Sequence, residues 1–274
     1  MYRQQSLITL DQFYEMKPLS KLEALLSFID YSLFEEVFPY DAHRRGPKGY
    51  SKKQLFTTLM AMPVEQLSDI KALVTRLKSD PVLRRSLGYD YTNDTPSAAT
   101  LNRFITLLSG TDILERTFRR MVCKARKLGL IDGTNVAIDA SKLTAYEHAV
   151  PKSRIPPDNP SFPNWGGKLD TNGNFIKWFG WKMHALVDTY SGIPISYIIT
   201  PANIADMDVA EDLIQKMMVD YENGLTPKYY MMDAGYDKPD LYASVYQKFH
   251  GQAIIPSAIF AGVHAVSNNF PVTS

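Results

Sequence analysis

Near residue 135 the apolar pattern of this chain changes period, and that change divides what the chain can fold into. Before it, apolar residues recur at helical spacing. Leu22, Leu25, Leu26 and Phe28 follow Ser20, Leu55, Leu59 and Met62 follow Ser51, and Ile70, Leu73, Val74 and Leu77 follow Ser68. A serine just ahead of such a run suits an N-cap, where its oxygen accepts an otherwise unpaired backbone N–H. Pro63 and Pro81 separate these helices, because proline lacks the N–H that a helix interior needs. Thr95-Pro96-Ser97 opens another helix through Leu101, Phe104, Ile105 and Leu108, with proline in its first turn. After Gly110-Thr111-Asp112 a long basic helix runs to about Leu128.

From Asn135 the period is two. Val136 and Ile138 alternate with Ala137 and Asp139, and Trp181, Met183, Ala185 and Val187 alternate with Lys182, His184, Leu186 and Asp188. Thr189 to Gly192 turns the chain into a third strand, Ile193 to Ile199. A helix from Asp206 to Tyr221, a strand from Tyr229 to Met232, a helix from Lys238 to Phe249 and a strand from Ala253 to Ile255 complete the order β-β-β-α-β-α-β. The expected fold is mixed α+β: an all-helical first part, then a sheet with an antiparallel meander and crossover helices that make its later strands parallel. Between the first two strands, roughly residues 143–175 form an irregular segment rich in Pro, Asn and Gly, and a loop of that length is functional or disordered.

Two aspartates stand where apolar runs end: Asp139 in Asn135-Val-Ala-Ile-Asp-Ala-Ser141 and Asp233 in Tyr229-Tyr-Met-Met-Asp-Ala-Gly-Tyr-Asp237. Burying an unpaired carboxylate is costly, so two such acids on different strands suggest a shared divalent cation. The plainer alternative for each is a strand-end aspartate that caps a turn. The net charge of +1 conceals an asymmetry: up to residue 130 there are 20 Lys and Arg against 14 Asp and Glu, and afterwards 10 against 15. This fits a polyanion-binding region joined to a cation-binding one, or solvated helix faces with a chance imbalance. The single cysteine, Cys123, allows no internal disulfide and reads as a small core side chain. With no apolar run of 18 residues and no leader-like start, the chain is expected to be cytoplasmic and to span no membrane.

In order along the chain, Asn135–Ser141, Lys182-Met-His-Ala-Leu-Val-Asp188, Thr200-Pro-Ala-Asn-Ile-Ala-Asp206 and Asp233-Ala-Gly-Tyr-Asp237 resemble the DDE transposases of bacterial insertion sequences. Tyr50-Ser-Lys-Lys-Gln-Leu-Phe and Thr95-Pro-Ser-Ala-Ala-Thr-Leu-Asn-Arg-Phe104 resemble that family's N-terminal region. The resemblance covers roughly residues 20–256 and implies a ribonuclease H-like catalytic domain in which Asp139 and Asp233 are metal ligands. It further implies Mg²⁺ (or Mn²⁺) as cofactor, double-stranded DNA with terminal inverted repeats and a target as partner, and a homodimer. The domains expected are a helical DNA-binding domain over 1–130, an incomplete catalytic domain over 131–256 and an atypical tail over 257–274.

The third acid of that family is a glutamate on a helix after the fifth strand. Here the last glutamate, Glu222, precedes Asp233, and residues 249–274 hold no Asp, Glu, Lys or Arg. The segment from Ala258 to Phe270 reads like the product of a frameshift or early stop, or else a divergent tail. The expectation is a C-terminally truncated chain impaired in strand cleavage. Two other readings stand beside it: a non-catalytic DNA-binding competitor or repressor, and a metal-dependent nuclease with a substitute third ligand.

Further candidates are weaker. Arg116, Arg119, Arg120, Lys124, Arg126 and Lys127 make a basic stripe that suits a phosphate backbone or a solvated helix face. Asn102 and Arg103 have side chains able to read base edges. Lys152, Arg154 and Lys182 are candidates for phosphate contact, and His184 and Asp188 for holding the hairpin. Asn203, Asp206 and Asp237 are expected to cap helices, and Glu147 to serve as a ligand only by a coincidence of loop geometry. Trp165, Trp178 and Trp181 suit packing, or a wedge against an unstacked base.

Overall fold

A computed structural model describes residues 9–39, 49–90, 94–156, 162–169, 173–221 and 225–256. The chain divides into two compact units, Met1–Met121 and Val122–Ser274.

The first unit is helical. Its elements are α1 (Leu10–Met16), α2 (Lys21–Phe28), α3 (Ser32–Val37), α4 (Lys52–Val64), α5 (Ile70–Ser79), α6 (Pro81–Ser86) and α7 (Ala98–Ser109), and α8 (Ile113–Lys127) begins in it. Polar caps set the starts. Ser20 accepts from Glu23 N while the Glu23 carboxylate accepts from Ser20 N, which closes a reciprocal box at the head of α2. Ser51 and Ser97 cap α4 and α7. The cap of α5 is Asp69, one residue after Ser68, with its carboxylate 2.8 Å from Ala72 N. Beneath the caps one apolar cluster joins the helices, with Leu33, Leu73, Leu77, Leu101 and Ile113 fully buried.

Of the three prolines expected to shape these helices, Pro81 opens α6 directly after α5, and the other two sit one residue from where they were expected. Pro63 lies inside α4, which ends one residue later at Val64. Pro96 stands outside α7, one residue ahead of the Ser97 cap. Cys123 is exposed on α8 and does not belong to the core.

The second unit is built on a sheet of six strands among the described residues. These are β1 (Asn135–Thr144), β2 (Asn164–Leu169), β3 (Phe175–Asp188), β4 (Pro194–Pro201), β5 (Tyr229–Met232) and β6 (Gln252–Ile254), with α9 (Ala210–Asp220) and α10 (Pro239–Gln247) as crossovers. β3 pairs antiparallel with β1, β2 and β4. β5 lies parallel to β1, and β6 parallel to β5. The meander followed by parallel crossovers therefore forms as its periodicity implies. Val136, Ile138, Leu186, Ile195, Leu213, Ile214 and Tyr230 fill the core, while Tyr229, Met231 and Ile254 on alternate positions stay partly exposed.

The irregular segment holds more order than its composition suggests. Residues 164–169 form β2, and β3 starts at Phe175, several residues before Trp181. Strand propensity is poor at Gly166 and Gly167, so it is pairing to β3 that holds β2. Gly166 is also required by a close approach: a Cβ there would lie 2.7 Å from the Trp178 ring and 2.8 Å from the Ala202 carbonyl oxygen. The tail over 257–274 lies outside the described residues.

Candidate active site

The parallel register of β1 and β5 ends with Ile138 opposite Met232. Asp139 is the next residue along β1, and Asp233 is the first residue past the end of β5, so the two follow the last register pair on neighbouring segments of chain. This is the carboxyl end of a parallel pair, where open α/β sheets place their ligands. Asp139 is mid-strand in β1, at the point where its neighbour β5 has stopped.

Both carboxylates are exposed. The desolvation argument made from the sequence thus fails: the apolar runs are buried, but the acids at their ends keep their water. What singles them out is adjacency. Two like charges on neighbouring strands repel, and the described structure puts no basic side chain on either. Asp139 Oδ1 accepts from Ala140 N at 2.7 Å, and Asp233 Oδ1 accepts from Gly235 N at 2.9 Å. The second bond caps a 3-10 turn, Ala234–Tyr236, so Asp233 fills the plain capping role as well. Each carboxylate is thereby anchored through one oxygen and leaves the other unclaimed. Exposed, anchored carboxylate oxygens suit a hard divalent cation that keeps part of its water shell. Among the described residues no three His, Cys, Asp or Glu side chains gather closely enough to hold one metal ion.

A layer that the sequence reading missed lies beside the pair. Tyr236, three residues after Asp233, is 1% exposed, and its hydroxyl has no partner. Burial first, and then the charges of Asp206, Asp139 and Asp233, push its pKa far up. Asp206, expected to cap a helix, instead accepts from Lys182 Nζ at 2.7 Å, and the same ammonium donates to the Ile204 carbonyl at 2.9 Å. The turn Asp206–Asp208 and α9 have no side-chain cap. Lys182 is thus held inside the domain and not extended toward a phosphate. The signal that was available is the position of Tyr236 in the same short motif as Asp233.

His184 is buried, with Nε2 2.9 Å from Thr200 Oγ1, and ties β3 to β4. Burial lowers its pKa against the opposing charge of Asp206. Asp188 is fully buried and accepts from Gly133 N, Ser191 N and Ser191 Oγ at 2.7–2.9 Å. Burial pushes its pKa up, but these bonds outweigh it and leave the carboxyl below its ordinary range. Both residues hold the hairpin, as expected. Asp237 does not cap α10, whose N-cap is Lys238 without a side-chain bond; it accepts from Tyr242 Oη at 3.3 Å. Glu147 is exposed beyond the end of β1, and Lys152 and Arg154 sit exposed on a 3-10 turn. Trp165 donates to the Val150 carbonyl and packs on Phe179, and Trp178 donates to the Trp181 carbonyl. Those two indoles are engaged in packing.

In the helical unit, Arg116 is ion-paired with Glu36 at 2.7 Å, and Arg120 with Asp30 at 2.6 Å. These pairs connect α8 to α3 and to the residues just ahead of it. Asn102 and Arg103 are exposed on α7, and Lys124 and Lys127 on α8.

Two sequence-family models match. One, described as Transposase DDE domain, covers residues 125–258, and the other, Transposase domain (DUF772), covers residues 8–107. Together they take in most of the chain, which belongs to the insertion-sequence-type DDE transposases. No curated protein matches it. Among solved structures, a cryo-EM structure of the piggyBac transposase synaptic complex with hairpin DNA is similar at 12% identity and a TM-score of 0.37. That match covers 85% of this chain, and this chain spans about half, 47%, of the other. No helix among the described residues is long and apolar enough to cross a membrane.

Proposed function

We propose that the chain acts in DNA transposition, with Asp139 and Asp233 as the carboxylates that bind Mg²⁺, or Mn²⁺ in its place. The observation that carries this reading is the side-by-side position of the two acids just past the last register pair of β1 and β5. A divalent cation held by Asp139 and Asp233 would stabilise charge on one oxygen, attacking or leaving, of an in-line displacement at phosphorus, and a second cation would be needed for the other. The protein's part is to hold two carboxylate oxygens in place through Ala140 N and Gly235 N. The partner is double-stranded DNA, the terminal repeats of the element and its target, bound by a homodimer in the cytoplasm. Residues 1–130 form the DNA-binding domain and 131–256 the catalytic one. Lys124, Lys127, Arg119, Asn102, Arg103, Lys152 and Arg154 are the candidate contacts.

A polypeptide of these 274 residues cleaves poorly. No Asp or Glu follows Asp240 in it, and a second cation needs a further carboxylate. Either the attacking or the leaving oxygen then lacks its counter-charge, and about 1.4 kcal/mol is already tenfold in rate. The test is cleavage of a duplex carrying the element's terminal repeat, with Mg²⁺ or Mn²⁺. Asp139-dependent nicking at a rate typical of enzymes contradicts the impairment and sends the search for another ligand to Glu147 and Asp237, since Asp188 is fully buried and held by Gly133 and Ser191. The lack of a three-acid group among the described residues favours a second reading: a DNA-binding chain that occupies terminal repeats and competes with an intact transposase. Repeat binding without cleavage supports it.

A further inference from the structure

Tyr236 is buried to 1% exposure in the turn that starts at Asp233, and its hydroxyl has no hydrogen-bond partner. A buried hydroxyl without a partner carries a desolvation cost, and native structures tolerate few of them. The turn Asp206–Asp208 packs against Ala234–Tyr236, Tyr236 N donates to the Asp233 carbonyl at 3.1 Å, and after burial the charges of Asp206, Asp139 and Asp233 push the phenol's pKa up. A buried O–H in the turn that Asp233 heads, with no acceptor among the described residues, is a donor awaiting one.

We infer that Tyr236 is a positioning residue for the cation site, donating to one of these carboxylates once a cation draws the acids together. The inference rests on the proposal that Asp139 and Asp233 bind a divalent ion. Carboxylates that ligate a metal are commonly hydrogen-bonded in turn by the protein. A group that is unpaired without the ion and paired with it contributes to affinity through that difference. Tyr236 does not touch substrate; it acts through the acids.

Tyr230 supplies a matched control. It is fully buried on β5 and its hydroxyl is also unpartnered, but burial alone raises its pKa, to about 12. No carboxylate contributes there.

The experiment measures Mn²⁺ affinity by calorimetry, and melting temperature without metal, for the full chain, Tyr236→Phe, Tyr230→Phe and Asp139→Asn. For Tyr236→Phe the expected result is a melting temperature no lower than that of the parent, with Kd for Mn²⁺ about tenfold weaker, the scale of one hydrogen bond to a charged group. Tyr230→Phe is expected to leave Kd unchanged. An unchanged Kd in Tyr236→Phe overturns the inference while leaving the site itself intact. So does equal weakening in both tyrosine variants, or a lower metal-free melting temperature in Tyr236→Phe, which would reveal a structural partner. Failure of the parent chain to bind Mn²⁺, or equal binding by Asp139→Asn, overturns the underlying site and this inference together.

Discussion

The two units of this molecule treat their charges in opposite ways. In the helical unit, basic side chains are matched from within: Arg116 with Glu36, Arg120 with Asp30, Arg76 with Asp80. In the sheet unit, Asp206 and Asp188 are matched, by Lys182 and by backbone and hydroxyl donors. Asp139 and Asp233, among the described residues, each accept from a backbone N–H alone. These two acids have no side-chain partner among the described residues, in contrast to the pairs above, and their place past the last register pair of β1 and β5 sets them apart.

The contrast holds only if the units are alike in packing, and the largest expected effects test this. Leu73 in α5 and Leu213 in α9 are both fully buried. Changing either to Ala should cost about 2–5 kcal/mol in urea unfolding of the full chain. A loss under 1 kcal/mol at one of them would mean that its core is loose and that the units differ in more than charge.

Asp188→Ala comes next. It leaves the N–H of Gly133 and both donors of Ser191 without their acceptor, at about 1–3 kcal/mol for a buried orphan. The folded carboxyl titrates below its ordinary value of 3.8. Its contribution is therefore complete above about that pH and is lost as pH falls through the lower folded value. Acid unfolding of the variant should accordingly be shallower than that of the parent below pH 4, followed by circular dichroism.

Much of this organisation was legible in the sequence, and the exceptions have physical causes. Caps at Ser20 and Ser51 and the period-two run from Val136 are local signals, so α2, α4 and β1 start where they were expected. β2 was missed because its strand state comes from pairing with β3 and not from its own Gly-rich residues. Asp206 was read as a cap because capping is the local use of such a residue. Its actual partner, Lys182, is 24 positions away, and only the sheet brings them together. The desolvation expected at Asp139 and Asp233 is not observed. The apolar runs pointed to them, but their carboxylates are exposed, and what joins them is the parallel register. Tyr236 carried no signal beyond its closeness to Asp233, since an unpartnered hydroxyl is a property of packing.

Smaller effects separate internally paired cations from the rest of α8. On duplex DNA, removing one phosphate contact should reduce the slope of log affinity against log salt by about 0.9. Lys127→Ala is expected to approach that value, and Arg120→Ala to fall short of it because Asp30 already holds the guanidinium. Equal changes would erase the distinction. On stability the order reverses: Arg120→Ala should cost about 0.2–1 kcal/mol, as exposed ion pairs do, and Lys127→Ala less than that.

The central claim, that Asp139 and Asp233 form one cation site, is tested most directly by loading the chain with Fe²⁺ in place of Mg²⁺. Ascorbate and peroxide then generate radicals that cut the backbone next to the bound ion. The account predicts two clusters of cuts, one around Asp139 and one around Asp233, both suppressed by excess Mg²⁺ and both lost in Asp139→Asn. Cuts at only one of the two strands, or cuts at both that survive Asp139→Asn, would contradict it.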